Sequence, residues 1–536
     1  MKLAPLRLCC LPIAILAPVA AAGAQTSVAE TVRQVQQDPE LAHSRLGVEI
    51  YSLDKSAVLF SQDGDKFFTP GSTTKLVTEG AALALLGSDY RFHTRVYRTG
   101  PIKAGVLDGN IVIVASGDPN LSGRVGPDGK LGFVDEDHDY GGMPLPGDPV
   151  APLTKLAQQI ASMGVRRITG SVLIDVGLFA EGNREGGSGM SISPIIVNDN
   201  TIDVLVTPGA GTQPPMVRTA PDVSGVRFVN KLTTGAAGTD PAIEQIVAVL
   251  PDGTREVTLR GSVPSGHAVI NSPYAVDSPS RFAADVLVTQ LRKAGVAVGK
   301  AAPDGRADSG AFTASYRPDL LVTDIVSPPL SEDVRITLKV SQNLHAATMP
   351  YLIGSLLGKA TANADQRGLA LIHDWLEKAG LDLSGAVQAD GAGGSADFTP
   401  DFMVHYLAYM AKQPFFPAFY AGLPILGKDG TLAEVGRDSK AAGHVFAKTG
   451  TYVSSDFLND AIFVDGKGLA GYTTSPSGEQ LAFALYLNKV SVRARAGAGG
   501  SAMSRMSHVV ADPLGAIAAA ANIGPITTSG DGGVRQ

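Results

Sequence analysis

The chain has 536 residues, a length that implies two to four domains rather than one core. With 44% hydrophobic and 18% charged residues it has the composition of a folded globular protein, not of a disordered one. A formal charge of −7 argues against a polyanion partner, and no basic stripe of the kind nucleic acid requires is present.

The first 24 residues stand apart. Lys2 and Arg7 form a basic start, Leu8 to Val19 is nearly all apolar, and Ala22-Gly23-Ala24 has the small-x-small form of a cleavage site. That is the pattern of a secretory signal peptide, too short for a lasting membrane span; a retained N-terminal anchor is the alternative. Both cysteines, Cys9 and Cys10, lie within it. The mature chain is therefore expected to hold no disulfide, thiol nucleophile or cysteine-ligated metal. The expected location is the bacterial periplasm, without a stable membrane span.

Residues 46–61, "LGVEIYSLDKSAVLFS", predict two strands with a turn near Asp54-Lys55. Residues 72–86 predict a helix that carries Leu76, Val77, Leu83, Leu85 and Leu86 and stops at Gly87. From about 96 to 318 short β-like runs such as "NIVIVAS", "GSVLIDV" and "TIDVLVTP" alternate with Gly/Pro/Asp loops, around one helical stretch, "APLTKLAQQIASMG". Two long loops stand out, near 123–149 and 181–193. Helical patterns return in "PSRFAADVLVTQLRKAG" and dominate 331–379, with Gly380 as a stop. A strand hairpin follows from "GHVFAKTGTY" to "GEQLAFALYLN", then a last Ala-rich helix over 501–521, interrupted by Pro513. The segment 522–536 reads as a disordered tail.

The run "DEDHD" at Asp135–Asp139 has two readings, a solvated acidic turn or a metal site; the turn is the expected one, and no metal or other cofactor is expected. The histidines show no H-x-x-x-H pair on a helix, which argues against a zinc hydrolase.

Two serines precede a lysine by three positions: Ser52 with Lys55, and Ser72 with Lys75. A serine hydroxyl needs a base within hydrogen-bond reach before it attacks a carbonyl. On a strand and turn, three positions separate the side chains, so Ser52 and Lys55 read as scaffold. At a helix start the same spacing brings them together, and the positive helix end favours developing negative charge. Ser72 and Lys75 are the candidates there, with an ordinary N-cap serine as the alternative. Two further motifs follow in order: Ser341-Gln342-Asn343 and Lys448-Thr449-Gly450-Thr451. The ordered set S-x-x-K, S-x-N and K-T-G is that of the penicillin-recognising serine enzymes. In this chemistry Lys75, held neutral by burial and by Lys448, takes the Ser72 proton, and Ser341 passes it to the leaving amine. Asn343 holds the substrate amide, Lys448 faces a substrate carboxylate, and Thr449 and Thr451 bind it. Gly450 leaves the strand edge clear for substrate, and the Ser72 and Thr451 N–H groups form an oxyanion hole.

On these motifs, and on "FFTPGSTTKLVTEGAALALLGSDYRFHT", "SPPLSEDVRITLKVSQN", "DGTLAEVGRD" and "AKTGTYVSSDFLNDAIFVDGKGLAGYT", the chain resembles the class C low-molecular-mass penicillin-binding proteins. These are D-alanyl-D-alanine carboxypeptidase/endopeptidases of the penicillin-binding protein 4 type, and the resemblance covers roughly 45–510. It implies an α/β (α+β) fold: a β-lactamase/transpeptidase-like catalytic domain, with a central antiparallel sheet flanked by helices, and two β-rich inserted domains. The expected division is 25–95 plus 319–521 for catalytic domain I, 96–199 plus 272–318 for domain II, and 200–271 for nested domain III. The implied partners are peptidoglycan stem peptides and, as covalent inhibitors, β-lactams; the oligomeric state is left open. The resemblance nominates Asp175, in "LIDVGLFAEG", for the amino group of the peptidoglycan diamino acid, with Phe179 beside it. An aspartate that closes a strand turn is the alternative. Two departures stand out: "DGAGGS" at 390–395, where the family has D-G-S-G-L-S, and the Gly-rich "AEGNREGGSGMSISP", without the usual aromatic residues.

The implied activity is serine DD-peptidase cleavage of terminal D-Ala-D-Ala, extending to D-Ala-diaminopimelate cross-links. The alternatives are a β-lactamase or esterase on the same fold and a non-catalytic cell-wall-binding protein. The chain has no E-x-x-N loop for a class A deacylating glutamate and no G-x-S-x-G elbow.

Overall fold

The computed structural model describes residues 27–211, 213–299, 305–307, 310–493 and 507–524. Its centre is a five-stranded antiparallel sheet in the order 57–62, 45–52, 480–493, 461–474, 445–456. The strand Gln480–Arg493 shows why the sheet is covered on both faces. Leu481, Phe483, Leu485 and Leu487 enter one apolar layer, whereas Ala482, Ala484 and Tyr486 enter the other. Alternating side chains thus serve two cores, with small residues where a helix must come close. Helices Val28–Gln36 and Asp512–Ile523 cover the leucine face. Helices Thr74–Leu85, Leu330–Lys339, Asn343–Leu356 and Pro400–Met410 lie on the alanine side.

The middle of the chain forms further, smaller sheets. Strand His93–Arg98 pairs antiparallel with Leu321–Val326 on one side and Ile111–Val114 on the other, and the latter runs parallel to Val172–Asp175. Position 96, the expected start of the insertion, therefore falls inside a continuous strand. Strand Thr201–Thr207 pairs with Met216–Ala220, Ile270–Asn271 and Tyr274–Ala275. Strands Val226–Gly235, Arg255–Pro264 and Ala242–Val249 make a separate sheet. All of these feed one apolar cluster, in which Leu232, Val257 and Leu259 meet Ile113, Ile174 and Leu287. The region 200–271 has its own sheet but not its own core.

Three local expectations change. Regular α-helix begins at Thr74, and Ser72 sits in the short 3-10 turn Gly71–Thr73 ahead of it. The last helix does change character at Pro513: a π-helical turn, Ser507–Ala511, gives way to the α-helix Asp512–Ile523, whose first turn holds the proline. That helix packs on the sheet and extends to Ile523, past the expected start of the tail; 525–536 lie outside the described residues, as does the 1–24 segment. Ser52 and Lys55 are joined after all, but as scaffold: the Lys55 N–H donates to Ser52 Oγ at 3.0 Å, and both side chains meet Glu479. Among the described residues no helix is long and apolar enough to cross a membrane.

Candidate active site

The turn that carries Ser72 is pressed onto the hairpin strands 445–456 and 461–474. A methyl group at Gly450 or Gly468 would collide with the Pro70 carbonyl, and one at Gly466 with the Thr69 carbonyl. Glycine at 450 thus makes room, from inside the fold, for the turn that carries Ser72. Gly71, at φ +52°, makes the bend. One residue into the helix, Lys75 reaches back so that its Nζ lies 2.7 Å from Ser72 Oγ.

The other two motifs converge on this pair. Lys75 Nζ is 3.3 Å from Ser341 Oγ and 2.5 Å from Asn343 Oδ1. Lys448 Nζ approaches Ser341 Oγ from the other side at 2.9 Å and also donates to the Thr449 carbonyl at 2.8 Å. Ser341 links the helices Leu330–Lys339 and Asn343–Leu356 in a left-handed conformation, φ +64°. Gln342 caps the second helix, its side-chain oxygen accepting the Leu344 N–H at 2.7 Å, while its amide donates to Asp139 at 3.0 Å. The Tyr140 hydroxyl donates to the Ser341 carbonyl. Thr449 donates to Thr431 Oγ1, and Lys467 donates to Thr451 Oγ1, each at 2.7 Å.

Burial lowers the Lys75 amine from its ordinary value to about 8, although Glu185 and Asp139 pull the other way. Lys448 is pushed well below its ordinary value, by burial first and then by Lys75 and Lys467. The repulsion expected to keep Lys75 neutral thus acts chiefly on Lys448. Two amines sharing one serine oxygen cannot both hold a proton cheaply. Glu79, one turn beyond Lys75, is raised well above its ordinary value by burial, and neither carboxyl oxygen has a partner. Its pull on Lys75 is smaller than that of Glu185 or Asp139.

Ser72 opens into a cavity of about 590 Å³ bounded by Asn343, Thr451, Glu185, Asp365 and Asp390. The loop "DGAGGS" forms one wall: Asp390 Oδ1 accepts the N–H groups of Ala392 and Gly393, and Oδ2 that of Ser395. Ala392 and Gly394 bring no hydroxyl to this wall, and Ser395 is its one hydroxyl-bearing residue. The Gly-rich stretch forms the opposite wall, where Gly187 lies so close to Asn343 that a Cβ would strike its amide. Glu185 there accepts from Gly187 N–H, Gly189 N–H and the Ser188 hydroxyl.

Asp175 is not part of this cavity. It ends strand Val172–Asp175, accepts the Gly177 N–H at 2.9 Å and is bound by the Tyr316 hydroxyl. It closes a strand turn and does not line the cavity, as Glu185 does. Phe179 is buried against Tyr351 with ring centroids 5.2 Å apart. Sequence reasoning missed Glu185, Tyr140, Lys467 and Thr431, which come from four separate segments with no common spacing. Only the Gly-rich departure pointed toward Glu185.

The run "DEDHD" is solvated only at Asp135 and Glu136. Asp137, His138 and Asp139 are buried, and Arg124 lies 2.6 Å from Asp137 and 2.7 Å from Asp199. His138 bridges Asp199 and Asp203, and His345 bridges Asp199 and Asp333, with nitrogen–oxygen distances of 2.7 to 2.9 Å. A histidine between two carboxylates donates from both nitrogens and is charged. Against the burial that would lower it, Asp333 and Asp199 raise His345 to about 10. Asp137, His138 and Asp199 could offer three metal-ligand atoms, but Arg124 already supplies the cation.

A serine within hydrogen-bond reach of a buried lysine, beside an antiparallel sheet and with a second serine between two lysines, is an arrangement suited to acyl transfer. The model of the D-Ala-D-Ala carboxypeptidase 3 (S13) family matches residues 28–509, and the chain belongs to that family of serine peptidases. It is 28% identical over 492 residues to the D-alanyl-D-alanine carboxypeptidase of Actinomadura sp. (strain R39), covering 87% of this chain and 82% of the relative. It is 24% identical over 467 residues to D-alanyl-D-alanine carboxypeptidase DacB of Haemophilus influenzae, covering 83% and 85%. The fold is similar to crystal-structure penicillin-binding protein 4 (dacB) from Haemophilus influenzae, with a TM-score of 0.66 at 20% identity over 91% of this chain and 97% of that one.

Proposed function

We propose that the enzyme hydrolyses the terminal D-Ala-D-Ala bond of peptidoglycan stem peptides through an acyl-enzyme on Ser72. The observation that carries this reading is Lys75 Nζ 2.7 Å from Ser72 Oγ and 3.3 Å from Ser341 Oγ, with Lys448 2.9 Å beyond. Neutral Lys75 takes the Ser72 proton as Oγ bonds to the penultimate D-alanine carbonyl. The proton passes through Ser341 to the leaving nitrogen as the peptide bond breaks and free D-alanine departs. Water then releases the acyl group and restores Ser72. A substrate carboxylate near Lys448 favours charge on that amine, and the charge in turn discourages a proton on Lys75. Asn343 serves the substrate amide. Strand 445–456 is the sheet edge, which suits the Ser72 and Thr451 N–H groups to an oxyanion hole.

The finer reading extends to D-Ala-diaminopimelate cross-links, to covalent inhibition by β-lactams and to residence in the periplasm. Glu185, with Asp365 and Asp390, makes the cavity acidic and suits it to an amino-bearing diamino acid; Glu185 takes the place first given to Asp175. The catalytic part is read as the five-stranded sheet with its helices, and the inserted part as the strands that begin at His93.

Labelled penicillin and muropeptide digestion test this. Ser72→Ala is expected to lose both the label and D-alanine release. Glu185→Gln is expected to raise KM on amino-bearing stem peptides by about 10-fold, the scale of one charge-assisted contact, while Asp175→Asn leaves KM unchanged. D-Alanine release at the wild-type rate from Ser72→Ala would overturn the nucleophile assignment.

A further inference from the structure

Lys467 is a half-buried lysine that the mechanism above does not use. It stands directly opposite Thr451 in the antiparallel hairpin, and its Nζ donates to Thr451 Oγ1 at 2.7 Å. Among the described residues no carboxylate forms an ion pair with Lys75, Lys448 or Lys467, and Glu185 and Asp139 act on Lys75 only from a distance. Burial alone brings Lys467 down to about 8. Three amines gathered without a counter-ion carry a desolvation cost that an anionic ligand would offset.

The neighbouring hydroxyls show where that anion is read. Thr449 spends its proton on Thr431 Oγ1, so its hydroxyl is not free to donate outward. Thr451 accepts from Lys467, which occupies a lone pair and leaves its own O–H to point elsewhere. Thr451 borders the cavity beside Ser72. Of the two threonines in the motif, only Thr451 is set as a donor toward a ligand.

We propose that Lys467 is a positioning and specificity residue, which fixes the Thr451 hydroxyl as the donor to the substrate's C-terminal carboxylate and places a positive charge behind it. The assignment rests on the Ser72 acyl-enzyme reading. It also alters the division of labour in the motif: Thr449 holds the strand to Thr431, and Thr451 reads the ligand.

The test uses the full enzyme and two D-alanyl thioesters, one with a leaving group that ends in a free carboxylate and one with that carboxylate methylated. Lys467→Met, which nearly preserves volume, is expected to raise KM for the carboxylate thioester by about 10- to 100-fold, the scale of losing a hydrogen bond to a charged group. Its kcat/KM for the methylated thioester should stay within about twofold of wild type, and Lys467→Arg should restore most of the lost affinity. An unchanged KM in Lys467→Met, or equal losses on both thioesters, would overturn the proposal. Wild type inert toward both thioesters and unlabelled by penicillin would instead bring down the Ser72 reading beneath it. Thermal unfolding of both variants at the wild-type temperature secures the comparison.

Discussion

The Tyr140 hydroxyl donates a 2.7 Å hydrogen bond to the carbonyl of Ser341. It ties a loop of the inserted region to the serine that bridges Lys75 and Lys448. Ser341 holds φ +64°, a conformation that costs a side-chain-bearing residue on the order of 1 kcal/mol and persists only where the surroundings over-determine it. Tyr140→Phe removes one of those determinants without changing the packing. We expect kcat on a D-alanyl-D-alanine peptide to fall about 10-fold, the scale of one net hydrogen bond, with KM within about twofold. Steady-state kinetics check this; an unchanged kcat would mean that Asp139 and the helix cap hold the loop unaided.

Lys75 sets a pH dependence. Its amine is lowered to about 8 and must be neutral to accept the Ser72 proton, so activity grows as the proton is lost. The second-order rate of penicillin acylation is expected to rise with pH up to about 8 and to flatten above. Lys75→Arg, with a base that never deprotonates in this range, should label at least about 100-fold more slowly, the lower end of what a positioned base contributes. Stopped-flow labelling between pH 6 and 10 gives the profile.

His345 makes stability itself pH dependent. Its folded value, about 10, lies above the ordinary 6.5. The stabilisation from its charged form is therefore complete below about 6.5 and is lost as pH rises toward about 10. His345→Gln should unfold at lower temperature than wild type at pH 6, with the gap narrowing steadily toward pH 10. Calorimetry across that range measures it, and a gap that widens with pH would contradict the charged state.

Gly450 offers a steric test. A methyl group there overlaps the Pro70 carbonyl and meets the Thr73 N–H, so the nucleophile turn must move. Gly450→Ala is expected to cost about 1–3 kcal/mol of stability and to abolish penicillin labelling. If substrate clearance were the reason for the glycine, stability would stay at the wild-type value while KM rose.

The parts of this molecule legible in the sequence are those encoded by local spacing. Ser72 and Lys75 three positions apart, with a helical pattern behind them, specify a contact that the structure shows at 2.7 Å. The alternation in "QLAFALYLN" likewise specifies a strand buried on both faces. What escaped depends on the partner across a long gap. Asp175 looked like a ligand because its local sequence resembles one, but Tyr316, 141 positions away, already holds it. The run Asp135–Asp139 looked solvated because acidic loops usually are; Asp135 and Glu136 are exposed, but Asp137 and His138 turn inward to Arg124 and the distant Asp199. Gly450 looked like clearance for a substrate because nothing in the motif announces Pro70.

The ion network around Asp199 also bears on how this gene could be shortened. Helix Asn343–Leu356 carries His345, whose second nitrogen is bound only by a residue of the middle region. Cutting out the middle region and joining its ends would leave a buried imidazolium with half its neutralisation, two residues from Asn343. The middle region is thus not a passenger that the five-stranded sheet and its helices could shed, since each part supplies counter-charge to the other.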